Sequence, residues 1–358
     1  MLRGTEGDGR IGISSNEDPP ERLHANERGA PVFFGSFPDH QFKAPFMKTV
    51  FGPVPSRRLG RSLGIDVVPS KTCSYDCVYC ESGRTSHLTL KRRAFVPPER
   101  VMADLEDYFR NHPDGADVLT FSSAGEPTLY EPLGELIRDI KKRYPRLPLV
   151  VLTNGSLLWD PQTRKSLLAA DRVVPSVDAV TRDVFTRVNR PHPDLDLPAI
   201  LEGMAAFRRE YRGELHVEVM VVAGINDSAE ELKAIARVVE RLGADEVELN
   251  TVVRPPADLE TEGLSPAEMA EVSSFFPKDR TRIIGCFQGV RRGGQDMAVG
   301  GRVLELVRRR PCTASEMAAS LGVSAEELEE ALDGLLKENR LVRRFFNDRE
   351  YLCTPAGE

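Results

Sequence analysis

The sequence predicts an α/β chain, with a core of parallel strands joined by helices followed by a small tail built on a helix-turn-helix pattern. Three observations carry this. Short β-rich runs alternate with helical stretches from residue 64 to about residue 285. The pattern changes to helices and then two charged, aromatic runs over residues 301–358. Between the first β-run and the first helix, three of the chain's six cysteines fall within eight residues.

The β-runs are expected at residues 64–68, 117–122, 148–153, 172–177, 215–222, 246–252 and 281–284. Helical spacing fills residues 98–111, 131–144, 161–170, 197–211 and 228–242, where Ser228 and Glu231 read as a capping box. The final run shows no clear helical partner. Repeated β-then-α units mean parallel strands, in either an α/β barrel or a doubly wound sheet. In the tail, helices are expected at 301–310, 314–320 and 325–339, with capping boxes at Thr313/Glu316 and Ser324/Glu327. Residues 341–352, turning at Asn347-Asp348, read as a hairpin, so the tail resembles a winged helix-turn-helix. The domains expected are a disordered extension over 1–46, a core over 47–290, a linker over 291–300 and the tail over 301–358. The mixture of Gly, Pro, Asn and charge before Met47 has too little apolar surface to offset ordering, and Met47 is the expected biological start.

With 358 residues, 29% of them charged and a formal charge of −7, the chain carries no global signature of polyanion binding. No apolar run reaches the roughly 18–20 residues needed to span a bilayer, and no secretory leader is evident, so the expected compartment is the cytoplasm. Six cysteines so unevenly spaced do not make a disulfide scaffold.

Cys73, Cys77 and Cys80 stand as C-x3-C-x2-C in a loop after the first β-run, where barrels and α/β sheets place chemistry. Three soft thiolates suit iron-sulfur chemistry and leave one iron of a cubane open to another ligand. A structural zinc site would want a second such half, which Cys286, Cys312 and Cys353 do not supply. Gly125-Glu126-Pro127-Thr128 ends the second run, Thr153-Asn154-Gly155 the third, Ser176-Val177-Asp178 the fourth and Gly224-Ile225-Asn226 the fifth. Alone, each reads equally as a turn or helix entry. Asn250 and Arg254, after the sixth run, and Asn189-Arg190-Pro191-His192 offer polar groups to a substrate. The guanidinium of Arg254 suits a carboxylate or phosphate.

The cysteine spacing, with Tyr79 before the last cysteine, resembles the signature of the radical S-adenosylmethionine (SAM) superfamily. Residues 47–290 look most like its Fe-S oxidoreductase group related to wyosine-base formation, without the upstream cysteines of the wyosine enzymes. The resemblance implies a partial (β/α)6 TIM-like barrel, a 4Fe-4S cluster on Cys73, Cys77 and Cys80, and SAM as second cofactor. It further implies SAM contacts from Gly125, Glu126, Asn154, Ser176, Asp178 and Asn226, and reductive cleavage to a 5′-deoxyadenosyl radical that modifies RNA or a protein. Glycyl-radical activation is the alternative within the family.

Eight cationic residues against three acidic ones around the cysteines would suit an acidic electron donor such as flavodoxin or ferredoxin, or an anionic substrate, and read equally as solvated surface charge. The tail carries nine Lys/Arg against eleven Asp/Glu, and its last helix bears Glu326, Glu327, Glu329, Glu330 and Asp333, which would repel phosphates. That argues against DNA, and against an iron-sulfur DNA-binding sensor, and favours a docking or lid role. The basic pair Arg343 and Arg344 keeps RNA contact open.

Overall fold

The computed structural model describes residues 49–56, 59–284 and 299–355. The expectations for residues 1–46, Met47, Arg57, Arg58, Cys286 and most of the 291–300 linker lie outside these.

Strands β1 (Val50–Ser56) and β2 (Gly60–Ile65) form an antiparallel hairpin in which Phe51 faces Gly64. A Cβ on Gly64 would lie 2.1 Å from the Phe51 ring, so only glycine admits the ring there. Two short strands, β3 (Thr72–Cys73) and β4 (His87–Leu88), pair within the cysteine loop. Helix and strand then alternate: α1 (Pro98–Asn111), β5 (Val118–Phe121), α2 (Leu133–Arg143), β6 (Leu149–Thr153), α3 (Pro161–Leu167) and β7 (Arg172–Pro175). Next come α4 (Arg182–Val188), α5 (Leu197–Glu210), β8 (Glu214–Val221), α6 (Ala229–Leu242), β9 (Glu246–Thr251), α7 (Pro266–Ser273) and β10 (Thr281–Ile283).

The main sheet has eight strands in the order β1-β2-β5-β6-β7-β8-β9-β10, and every pair from β2 onward is parallel. Strand order follows chain order throughout. A doubly wound sheet reverses direction at a switch point, so that alternative is excluded.

Strand periodicity divides the two faces. Leu63, Ile65, Leu119, Phe121, Leu149, Val151, Val173, Val217, Val219, Val247 and Leu249 are sealed in one core with the helices. Each such side chain contributes about 1.5–3 kcal/mol of burial. The opposite face carries a small cluster of Val118, Val150 and Val174 beside polar residues, among them Ser62 and Thr120, whose hydroxyls meet at 2.7 Å.

Helices α4 and α7 are absent from the sequence reading. Each is short and turns only two residues inward, Phe185 and Val188 in α4, Met269 and Val272 in α7, too few to show a period. Helix α7, opened by a full Ser265/Glu268 capping box, is the connection before β10 that the pattern lacked. At α6 the expected box is half formed. Ser228 accepts from the Glu231 N–H, but the Glu231 carboxylate turns away to accept from Val180 and Thr181 N–H at 2.6 and 3.0 Å.

The tail has its own core. Helices α8 (Val299–Val307), α9 (Ala314–Leu321) and α10 (Ala325–Lys337) pack Val303, Met317, Leu328, Leu332 and Leu335 together with Leu352 of the hairpin β11 (Val342–Phe346) and β12 (Arg349–Cys353). Both expected capping boxes form, and Asn347 and Asp348 turn the hairpin with positive φ, as its two-residue loop requires. Among the described residues no helix is long and apolar enough to cross a membrane.

Candidate cofactor site

The cysteine loop leaves β2 at the carboxyl edge of the parallel strands and is clamped from two sides. On one side Lys71 N–H donates to Ala124 O at 2.7 Å, and Glu126 N–H to Thr72 O at 3.1 Å. Gly125 presses so closely there that a Cβ would sit 2.1 Å from the Thr72 carbonyl oxygen. On the other side Asp76 N–H donates to Asn189 O, Val78 N–H to Val188 O and His192 N–H to Ser74 O, at 2.9–3.1 Å. The segment 189–192, expected to meet substrate, therefore supports the loop, and the His192 imidazole lies 3.8 Å from Asp194.

Two asparagines reach the sulfurs. Asn154 Nδ2 lies 3.5 Å from Cys73 Sγ and donates to Ser74 Oγ at 2.9 Å. Asn189 Nδ2 lies 3.4 Å from Cys77 Sγ and donates to Asp178 Oδ2 at 2.8 Å. Asp178 also accepts from Tyr79 OH at 2.5 Å and from Met220 N–H at 2.9 Å, tying the loop to β8. Burial pushes the Asp178 carboxyl up to about 6 against the pull of these hydrogen bonds. Desolvation likewise pushes the Cys73 thiol up to about 12 and raises Cys77 and Cys80, so metal ligation must displace these protons.

Glu126 is buried, and its carboxylate accepts four hydrogen bonds, from Thr128 N–H, Thr128 Oγ1, Thr153 Oγ1 and Asn154 N–H, at 2.6–2.9 Å. Three of these fall on Oε1 and one on Oε2, so the side chain locks the Gly125 turn to the end of β6 while Oε2 keeps acceptor capacity. Asn226 is spent within the protein. Its amide donates to Asp178 O and Met220 O, both at 2.8 Å, and accepts from Val222 N–H at 2.7 Å. Ser176 bridges to Glu218 of β8, and Asn250 Nδ2 donates to Glu218 Oε1 at 3.1 Å, which puts both on the polar face of the sheet.

Arg254 departs most from expectation. It does grip carboxylates, but the chain's own: Nη1 meets Glu81 Oε1 at 2.8 Å and Nη2 meets Glu316 Oε1 at 3.2 Å, with the residue 5% exposed. Glu81 follows Cys80, and Glu316 begins α9, so Arg254 joins the cysteine loop to the tail. Arg309 Nη1 adds a second link to Asp66 Oδ2 at 2.6 Å while lying over the Phe51 ring. The expected excess of positive charge is partly cancelled by two carboxylates outside that count, since Arg61 pairs with Asp117 and Arg92 with Asp160. A cavity of about 780 Å³ lies elsewhere, between α1, the β1–β2 hairpin and the tail.

The model of the radical SAM superfamily matches residues 67–239. The UPF0026 protein MJ1312 of Methanocaldococcus jannaschii is 39% identical over 251 residues, covering 68% of this chain and 77% of that protein. A UPF0026 protein of Helicobacter pylori is 34% identical over 316 residues, covering 85% and 97%. The chain belongs to the UPF0026 family of the radical SAM superfamily. A protein named GTPase Obg from Brachyspira hyodysenteriae is 33% identical over 302 residues, 84% of this chain, and the chain spans 44% of its length.

A radical SAM protein of this family is an enzyme whose cofactors are a 4Fe-4S cluster and SAM. The residues present fit the cluster. The donors are three free thiols on one clamped loop. Two amide N–H groups aimed at sulfur suit thiolates carrying cluster charge.

The sequence reading placed Asn189 only among substrate contacts, because its neighbour Cys77 lies 112 positions away. An N–H donor to a thiolate stabilises the more negative, reduced cluster, so Asn189→Ala is expected to lower the midpoint potential. A lost differential of about 1 kcal/mol corresponds to a shift on the order of 50 mV for one electron. An EPR-monitored redox titration of the reconstituted variant measures it, and an unchanged or raised potential would contradict the assignment.

Proposed function

We propose that this UPF0026 protein binds a 4Fe-4S cluster through Cys73, Cys77 and Cys80, cleaves SAM reductively and modifies an RNA or protein substrate. The single observation that carries this reading is the clamped loop itself, with three free thiols at the carboxyl edge of a parallel sheet wired to Glu126, Asn154, Asp178 and Asn189. When bound, the cluster and SAM together supply the hydrogen-abstracting radical.

The chain's own residues orient and shield. Gly125 and the Glu126 lock hold the loop that faces the SAM methionine end through backbone groups, while Asn154 and Asn189 steady the sulfurs. Asp178 fixes Tyr79, and Ser176 and Asn250 line the polar face where substrate would lie. Asn226 shapes the turn after β8, leaving any cofactor contact there to the backbone. We read the sheet as a partial (β/α)6 barrel over 47–290 and the tail over 301–358 as a winged-helix-like lid, because Arg309 and Glu316 reach Asp66 and Arg254 beside the cysteine loop. The acidic α10 disfavours DNA as its partner. An acidic flavodoxin- or ferredoxin-type protein is the expected reductant.

Anaerobic reconstitution with iron and sulfide, followed by dithionite and SAM, tests the reading. The expected product is 5′-deoxyadenosine, quantified by chromatography against reactions lacking dithionite. Fully loaded protein that yields none above that background would refute it. A glycyl radical signal arising only with an added partner protein would point to activase chemistry instead.

A further inference from the structure

The hairpin of β11 and β12 holds an aromatic ring out in solvent. Phe345 is 75% exposed, the most exposed of the large hydrophobic side chains among the described residues, while Phe346, one position on, packs against the main core. Strand alternation separates the two: Phe345 and Arg343 point to one side of β11, and Arg344 and Phe346 to the other. Across the ladder Phe345 faces Glu350, and Phe346 faces Arg349. The far edge of β12 bridges to Cys312 through Leu352, so β11 is the outer strand.

Positive charge gathers around the ring. From Lys337 to Arg349 five cations stand against two carboxylates, in a tail that carries more acidic than basic residues overall. Arginines on an outer strand deter strand-to-strand aggregation, and that role alone would account for Arg343 and Arg344. It does not account for Phe345, since an exposed apolar side chain on such a strand works against it. A protein partner would call for a contiguous apolar patch around the ring, whereas its neighbours are guanidiniums and Glu350. One ring among cations is the pattern that receives unpaired nucleobases, the ring stacking on a base face while guanidiniums meet the flanking phosphates. Arg343 stands two residues along the same face, roughly 7 Å from Phe345 along the strand. Its pair with Glu350, at 3.0 Å, is exposed and weak enough for a phosphate to replace.

The hairpin is seated beside the cysteine loop. Tyr351 OH donates to Val253 O at 2.6 Å, and the adjoining Arg254 bonds Glu81, the neighbour of Cys80. A strand held on Phe345 is thereby anchored on the side of the core that carries the cysteines. A duplex, broad enough to reach α10 as well, would bring its phosphates against the carboxylates of that helix.

We propose that the β11–β12 hairpin binds single-stranded RNA, with Phe345 stacking on an unpaired base and Arg343 pairing with an adjacent phosphate. The inference rests on the SAM chemistry proposed above and narrows its substrate to RNA, but the contact itself requires no turnover.

The test is fluorescence polarisation of the full chain, cluster reconstituted, with a labelled single-stranded RNA of about 12 nucleotides, a length in the range of single-strand sites. SAM and dithionite are left out, so loss of binding is read separately from loss of 5′-deoxyadenosine. Phe345→Leu keeps an apolar side chain but removes the π face and should weaken binding roughly tenfold, whereas Phe345→Trp should hold at least wild-type affinity. Arg343→Ala should lessen the dependence of log binding constant on log salt by about 0.7, the share of one phosphate on a single strand. The RNA duplex of the same sequence should bind at least about tenfold more weakly than the single strand. Both substituted positions are exposed, and urea midpoints check that the variants stay folded. Equal affinity of Phe345→Leu and wild type, or a duplex that binds as tightly as the single strand, would overturn the proposal. Polyglutamate of equal charge binding as tightly as the RNA would overturn it too, and would point to an acidic protein as the occupant.

Discussion

Cys77→Ala, and equally Cys73→Ala or Cys80→Ala, is expected to abolish the iron-sulfur chromophore and reduce 5′-deoxyadenosine to background, while Cys312→Ala and Cys353→Ala keep both. The two sets differ in what surrounds the thiol. Cys73, Cys77 and Cys80 lie on one loop whose backbone is fixed on both sides, and two of their sulfurs receive side-chain N–H groups. Removing one leaves two protein ligands for a cluster that needs three. Alanine retains the Cβ, and the clamping bonds come from backbone groups, so the variants should remain folded. Cys312 and Cys353, 2% and 7% exposed, lie in the tail, where Cys312 pairs its backbone with Leu352. Their replacement removes packing rather than a ligand, at a cost of about 1 kcal/mol. Iron content, the visible spectrum and urea midpoints separate the effects. Iron retained by Cys77→Ala, or lost by Cys312→Ala, would break the assignment.

The chemistry was legible because the thiols are neighbours in sequence. Ligands three and four positions apart announce themselves, and strands buried between helices read as apolar runs such as 148–153. What was hidden depends on distances that only the fold closes. Asn189 and Cys77 meet across 112 positions, and Arg254 and Glu81 across 173. Arg254 was expected to meet a substrate carboxylate or phosphate, and its guanidinium meets the chain's own Glu81 and Glu316, pairings that no pattern in the chain announces. Glu126 and Asn226 show the converse. Their polar groups suggested cofactor contacts, and the folded chain itself supplies N–H, O–H and C=O partners for most of each side chain's hydrogen-bonding capacity. Glu231 likewise follows Ser228 at capping-box spacing but finds two better donors in Val180 and Thr181.

Arg254→Ala is expected to cost the most stability of any single charged-residue change near the site and to loosen the tail from the cysteine loop. The guanidinium is 5% exposed, with Glu316 at 13% and Glu81 at 32%. Removing one partner of a buried ion pair strands the other charge, typically at about 3–5 kcal/mol, and the openness of Glu81 moves the expectation toward the lower end through solvent screening. Glu316 retains one compensation, because its Oε2 accepts from Thr313 N–H at 3.0 Å in the α9 capping box. Glu81 adjoins Cys80 on the cysteine loop. Loss of Arg254 should therefore raise hydrogen exchange in both the 77–83 segment and residues 314–321, and lower the urea midpoint. Arg343, which meets Glu350 at 3.0 Å on the surface with 52% and 36% of the two side chains exposed, is the control. Arg343→Ala should shift stability by no more than about 0.5 kcal/mol. If Arg254→Ala behaves like Arg343→Ala, with exchange unchanged in both segments, Arg254 does not hold the tail to the cysteine loop. If Glu316→Gln reproduces the tail's loosening while the 77–83 segment stays protected, each carboxylate secures its own side and the guanidinium is the joint between them.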